Sequence, residues 1–377
     1  MQRATYIALL FAAIGCTTGE TGPGTTGLTF VRLSAGTGYT CALSDDGTAY
    51  CWGLNDKGQL GDGTTTGRTK PTKVATSLQF IAITSGTNHS CALTLSGAAY
   101  CWGANDFGKL GSGTAGTGQL SPVAVNGNLA FVSIAAAANN TCTTTAQQQV
   151  YCWGQIAETN QFGDFLPRTN LDPTLVPGSM VAVVAGSDGG YCSVDAAGLA
   201  YCWGLVYVFP ASGPAVPPIR AAASTAIHFV TLRRGGEHFC GADVAGQAWC
   251  WGKNTFGELG NGGTADVVAP APVSSNLSFQ AVATGNAFSC GVAVGGKVYC
   301  WGQNNAGQLG TATTTNASTP QAVSTPVLFT RIAAGTDHAC ALGADGATYC
   351  WGSNVNGQLG NGVTSASENK PVPVEGT

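Results

Sequence analysis

One spacing limits the fold of this 377-residue chain more than any other feature: Cys, nine residues, then Cys-Trp-Gly, written seven times. The pairs are Cys41 with Cys51, Cys91 with Cys101, Cys142 with Cys152, Cys192 with Cys202, Cys240 with Cys250, Cys290 with Cys300 and Cys340 with Cys350. Successive copies start 48 to 51 residues apart. Eleven residues before the first cysteine stands Phe30, Phe80, Phe131, Phe229, Phe279 or Phe329, with Met180 one residue further out in the fourth copy. A period of about 50 marks a repeat architecture, in which each unit covers the apolar face of the next.

Within a copy the runs are short, β-rich and broken by turn residues, with no helical period. In the first copy these runs predict strands at Phe30 to Leu33, Tyr39 to Ser44 and Thr48 to Gly53, and a fourth around Val74. The second and third are joined by a three-residue turn ending in Gly47, Gly97, Gly198, Gly246, Gly296 or Gly346. A type I turn followed by a bulge needs a left-handed residue there, which glycine adopts without strain. Gln148 occupies that position in the third copy, which predicts a looser hairpin. Strand alternation places Ala42, Tyr50 and Trp52 on one face and Cys41, Leu43 and Ala49 on the other, so both faces need cover. Radial stacking supplies it and predicts an all-β, seven-bladed β-propeller of four-stranded antiparallel blades; an open solenoid is the alternative.

Cys-Ala-Leu, Tyr-Cys-Trp-Gly, Asn-x-x-Gly-Gln-Leu-Gly and Pro-x-x-Val together resemble the repeat of the regulator of chromosome condensation family. Five copies keep the signature, at Asn55 and Gly58, Asn105 and Gly108, Asn254 and Gly257, Asn304 and Gly307, and Asn354 and Gly357. The resemblance implies a seven-bladed propeller that binds partners through one of its faces.

Fifteen cysteines resolve as seven pairs and Cys16. In the register set by the turn, the two cysteines of a pair face each other across a two-stranded ribbon, with Cα atoms roughly 4.5 to 5.5 Å apart. This predicts one disulfide per blade. Zinc is the competing reading, but no Cys-x-x-Cys occurs. The residue two before the first cysteine is His89, His238 or His338 in three copies and Tyr39, Asn140, Gly190 or Phe288 in the others, a variety that a metal site per blade would not tolerate. No metal or cofactor is expected, and the histidines read as turn residues bonding backbone, as the resemblance also implies.

The N-terminus resembles a bacterial lipoprotein signal: Arg3, an apolar run from Tyr6 to Ile14, and Ala13-Ile14-Gly15-Cys16. The commonest form has Leu where Ala13 stands, and an ordinary cleaved signal with an incidental Cys is the other reading. Nine apolar residues are too few to span a bilayer as a helix. The chain divides into a signal at 1–15, a Gly/Thr-rich flexible tether at 16–28 and a propeller at 29–377, with lipid expected on Cys16. An exported protein, at the cell envelope or secreted, follows, touching membrane only through that lipid. Only 9% of residues are charged and the net charge is −4, without any basic run, so no nucleic-acid partner is expected.

No convergent set of unlike catalytic residues appears, and the chain is not expected to be an enzyme. Gly22 to Gly27 and Gly111 to Gly116 match a dinucleotide fingerprint as strings only, since neither leads a strand into a helix. Asp45-Asp46-Gly47 lacks further acidic ligands at calcium-loop spacing. Function is sought where copies depart from their common pattern, at the end shared by the loops between strands one and two and between strands three and four. Candidate partner-binding residues are Phe162 and Phe165 in copy three, Tyr207 and Phe209 in copy four, and Arg233, Arg234, Glu237 and His238 in the first turn of copy five. Local repacking of degenerate blades is the alternative. The expectation is a monomeric scaffold binding an unknown protein or envelope component. A secreted inhibitor of an enzyme such as a β-lactamase is the rival reading. Nucleotide exchange on a small GTPase fits poorly with export, acidic charge and disulfides.

Overall fold

A computed structural model describes residues 27–159, 165–179, 182–185, 191–203, 219–220 and 227–377. They form four-stranded antiparallel sheets, each built from contiguous chain. The first comprises β1 (Phe30–Ala35), β2 (Tyr39–Ser44), β3 (Ala49–Gly53) and β4 (Arg68–Lys73), hydrogen-bonded in that order. The fourth strand therefore ends just before Val74, which turns inward and is buried. The one helical element among the described residues is a single 3-10 turn at Asp106–Gly108.

Seven sheets are present in outline, but they are not the seven equal blades expected. Six are regular; the fourth has strands of four residues at Ala182–Ala185, Tyr191–Val194 and Ala200–Trp203, and of two at Ile219–Arg220. Copy four has Met180 shifted out of the Phe position and no Asn-x-x-Gly signature, so it lacks the residues that fix the strand ends elsewhere. Copy three departs differently. Its last two strands lengthen to Gln149–Thr159 and Phe165–Ser179, a ribbon that pairs as far as Thr159 with Phe165.

Each sheet buries both faces because opposite faces meet different neighbours. Cys41, Leu43, Ala49 and Cys51 pack with Phe80, Ala92 and Trp102 of the second copy. Ala42 and Trp52, on the other face, pack with Cys340, Leu342 and Cys350 of the last copy. First and last sheets thus join into a ring, and Leu28 N–H donates to the Gly376 carbonyl at the seam. The final strand, Ser365–Pro373, pairs within its own sheet, so the seam closes by packing and not by an exchanged strand.

The cysteines of every pair face each other in register across the central hairpin. Six disulfides are defined: Cys41 to Cys51, Cys91 to Cys101, Cys142 to Cys152, Cys240 to Cys250, Cys290 to Cys300 and Cys340 to Cys350. Their Cα atoms lie 4.0 to 4.2 Å apart, closer than expected, because the bridge draws opposed strands nearer than an unbridged pair. All twelve residues are buried. Cys192 is opposite Cys202 in the backbone register, and the Cys202 side chain lies outside the described residues.

Gly47 takes φ +83°, and its carbonyl accepts from Phe80 N–H of the next copy at 2.8 Å. The same bond links Gly97 to Phe131, Gly198 to Phe229, Gly246 to Phe279 and Gly296 to Phe329, so the turn glycine is also an inter-blade contact. The looser hairpin expected at Gln148 is not found. Gln148 adopts φ +64° and closes the same turn, donating to the Thr145 carbonyl at 2.9 Å, because neighbouring strands hold both ends in place.

Candidate functional site

The signature residues are engaged inside the ring. The Asn55 side chain donates to the Thr64 and Thr66 carbonyls, each at 3.0 Å, and accepts from Leu60 N–H at 3.0 Å, which folds the loop between strands three and four into a compact knot. Asn254 and Asn304 do the same in their copies, Asn105 donates to the Thr114 carbonyl, Asn354 donates to the Val363 carbonyl and the Ser365 hydroxyl, and all four accept from the leucine amide five residues on. Each knot presents a carbonyl to the next blade: Trp102 Nε1–H donates to Gln59, Trp153 to Lys109, Trp301 to Glu258, Trp351 to Gln308, and Trp52 to Gln358 across the seam.

The histidines are not turn residues bonding backbone. His89, His238 and His338 open the second strands, fully buried, and their Nε2 atoms lie 2.8 to 2.9 Å from the hydroxyls of Thr141, Ser289 and Thr40 on the following blade. Those hydroxyls give their single proton to the carbonyls of Lys109, Glu258 and Gln358. Each must therefore accept from the ring, which places a proton on Nε2, while Nδ1 is buried without a partner among the described residues, where a second proton would go unbonded. Burial drives the pKa down, to about 3 for His238 and about 4 for His338, and well below the usual value for His89. This role was beyond local reading because the partner hydroxyl lies 51 or 52 residues away for His238 and His89 and 298 away for His338.

Lys109 is a second departure that the sequence pattern did not single out. At its position Gln59, Glu258, Gln308 and Gln358 accept from the amide two residues earlier, at 2.7 to 2.9 Å. Lysine has no acceptor. Its Nζ turns instead to Asn88 Oδ1 at 2.8 Å and the Ala138 carbonyl at 3.2 Å, and Phe107, left without its cap, takes the left-handed φ of +61°. Replacing Lys109→Gln is expected to restore the cap and stabilise the protein by about 1 kcal/mol, the scale of one strained residue. A lower denaturant midpoint in that variant would mean that the bonds to Asn88 and Ala138 outweigh the cap.

Copy five corrects the placement of the candidate residues. Arg233 and Arg234 end its first strand, Phe229–Arg234, and do not lie in a turn. Arg234 is buried, with its guanidinium 4.7 Å from the centre of the Phe239 ring. Arg233 opens onto the axial cavity, hydrogen-bonded to the Leu232 carbonyl at 2.8 Å, and enclosure by the surrounding strands lowers its pKa. His238 is internal, which leaves Arg233, open to the channel, and Glu237, on the loop, as the exposed members of the four. Phe162, Tyr207 and Phe209 lie outside the described residues, as do Cys16 and the Phe165 side chain; the Phe165 backbone ends the copy-three ribbon. Phe239 was missed as well. It stands where Thr40, Ser90, Thr141 and Ser289 stand elsewhere, and it stacks on Trp251 at 5.2 Å and 13°. Copy four lacks the Asn-x-x-Gly signature, Trp251 Nε1 has no acceptor among the described residues, and the stacked ring pair is one described contact at this blade interface.

Two exposed aromatics occupy the same loop position in different copies, Phe107 at 41% and Phe256 at 37% exposure. Val355 sits one residue earlier in the last copy's loop, at 62%. Among the described residues no three His, Cys, Asp or Glu side chains gather as a metal site requires, and no helix is long and apolar enough to cross a membrane.

Four-stranded antiparallel sheets stacked around an axis, with most internal positions occupied by packing, define a β-propeller of the protein-interaction class. The chain belongs to the regulator of chromosome condensation (RCC1) repeat family, whose model matches residues 46–93, 96–143, 245–292, 295–342 and 345–377, more than half of the chain. A chain in the crystal structure of Kap60 bound to yeast RCC1 (Prp20) superposes with TM-score 0.76 at 18% identity, covering 100% of this chain and 92% of that one. Human WBSCR16 superposes with TM-score 0.72 at 20% identity, covering 83% and 86%. These likenesses are of fold. Human HERC2, an E3 ubiquitin-protein ligase, is 45% identical over 51 residues, which cover 14% of this chain and 1% of that protein, so the chain spans only a small part of this curated relative.

Proposed function

We propose that this protein is an exported, membrane-tethered interaction propeller that binds a protein through its loop face and carries out no catalysis. In this reading 1–15 is removed, Cys16 carries lipid, 16–28 is the tether, and 29–377 is a monomeric seven-bladed ring with a disulfide in every blade. The observation that carries it is the division of labour among residues: signature side chains are consumed in blade contacts, while Phe107, Phe256, Val355 and Glu237 are left exposed on loops of one end. Exposed aromatics on a rigid scaffold are the usual anchors of an interface. Six buried, oxidised pairs support an oxidising compartment.

The test is capture from cell envelopes on the immobilised oxidised protein. A structural envelope protein as the main catch supports scaffolding, and a hydrolase supports the inhibitor reading. Phe107→Ala with Phe256→Ala and Glu237→Ala is expected to weaken capture at least roughly tenfold at unchanged melting temperature. Undiminished capture by that variant removes this face, and Tyr207→Ala with Phe209→Ala then tests the copy-four segment. Mass spectrometry of the mature N-terminus, finding Cys16 without lipid, would overturn the tether.

A further inference from the structure

The axis of the ring is unusual in its charge. Three cavities run along it: about 640 Å³ at the end carrying the hairpin turns, about 330 Å³ midway and about 100 Å³ at the loop end. Among the described residues Arg32, Arg331, Arg233 and Arg234 line them, against Asp45 as the one acidic side chain. The position of Arg32 and Arg331 is small in other copies, as at Ala82, Ser133, Thr231 and Ala281, and that of Arg234 is small at Ala35, Ser85, Ala136 and Ala334, so blade packing does not call for arginine.

Arg32 and Arg331 meet at the turn-side recess, on the first and last blades. Neither makes an ion pair or hydrogen bond among the described residues. Arg32 is half-buried and Arg331 open to solvent within the recess, and their proximity is unfavourable: partial enclosure, and after it the Arg32 charge, lowers the Arg331 pKa. Asp45, at the rim, turns one carboxylate oxygen to its neighbour's amide, accepting from Asp46 N–H at 2.9 Å. Two like charges in a recess cost stability unless an anion joins them, and guanidinium groups are well shaped to grip carboxylate or phosphate oxygens. Walls of low polarisability further concentrate the field along the axis.

We propose that the turn-side mouth of the axial channel is a binding site for a small polyanion bearing carboxylate or phosphate groups, held by Arg32 and Arg331 with Arg233 deeper along its path. The site is separate from the loop face and does not depend on the partner reading.

Thermal unfolding of the oxidised protein at low ionic strength, titrated with citrate, pyrophosphate or orthophosphate, tests it. The midpoint is expected to rise with anion concentration as binding to the folded state requires. Arg32→Ala with Arg331→Ala should weaken the apparent affinity at least roughly tenfold, and Lys70→Ala, on the outer strand, should leave it unchanged. A response to citrate alone assigns carboxylate chemistry, to the phosphates alone phosphate chemistry, and to both a site that reads charge. Without anion, Arg331→Gln should melt higher than the parent, since it relieves the like-charge contact; this also serves where the double variant does not fold. No midpoint shift with any probe, or an equal shift in parent and arginine variants, would sink the proposal.

Discussion

Reduction of the oxidised protein is expected to abolish its cooperative melting transition near physiological temperature. Each of the six defined bridges closes a span of ten residues. In the chain-entropy account one such loop is worth about 2–3 kcal/mol. Six together are comparable with the roughly 5–15 kcal/mol net stability of an ordinary domain. The bridges also sit where they cannot be spared easily: Cys290 and Cys300 pack with Phe329, Ala339 and Trp351 of the next blade. Opening them leaves buried polar thiols and frees the central hairpin of each blade. Replacing one pair, Cys290→Ser with Cys300→Ser, should cost about 2–3 kcal/mol or more, because hydroxyls then occupy an apolar interface. Circular dichroism melts with and without a phosphine reductant measure both effects. A reduced protein that melts within a few degrees of the oxidised one would show that blade burial alone holds the ring.

Acid should destabilise the ring well above the range in which surface carboxylates titrate. In the unfolded chain a histidine takes its proton near pH 6.5. In the folded protein His338 and His238 resist protonation until about pH 4 and about pH 3, and His89 shares the shift. Folded-state pKa values lie below unfolded ones, so the contribution is complete above pH 6.5 and is lost as pH falls from there toward 3 to 4. Each histidine accounts for about 1.4 kcal/mol per pH unit in that window. Asp337 and Glu258, whose carboxyl pKa values burial raises, act in the opposite sense and partly offset the loss at its lower end. Denaturant unfolding at pH 7 and pH 4.5 gives the slope. His338→Gln keeps a donor toward Thr40 and removes the titration, so its slope should be shallower by one histidine's share. An unchanged slope would mean that His338 does not remain neutral in the fold.

Much of the molecule was readable along the chain because hairpin geometry is local. A cysteine pair ten residues apart with a three-residue turn allows one register, and Cys41 indeed faces Cys51, as Cys91 faces Cys101 and Cys240 faces Cys250. Glycine at the turn position reports a left-handed backbone, and Gly47 has one. The candidate site was less readable. Arg233 and Arg234 read as residues of the first turn, yet the strand runs two residues further than in the expectation drawn from the first copy and carries them into the channel. Phe239 gained its meaning only from Trp251 stacked beside it.

The sequence by itself determined the repeat, from its period of about 50, and the hairpin register, the cysteine pairing and the family motifs, since these depend on short offsets within one copy. Only the tertiary structure decided which residues of successive copies face each other: His338 against Thr40 across the seam, Lys109 against Asn88, and Arg32 beside Arg331 on the axis. Those contacts join residues 21 to 299 positions apart. Most are set by how stacked blades close around a common centre, which no spacing within a single copy encodes.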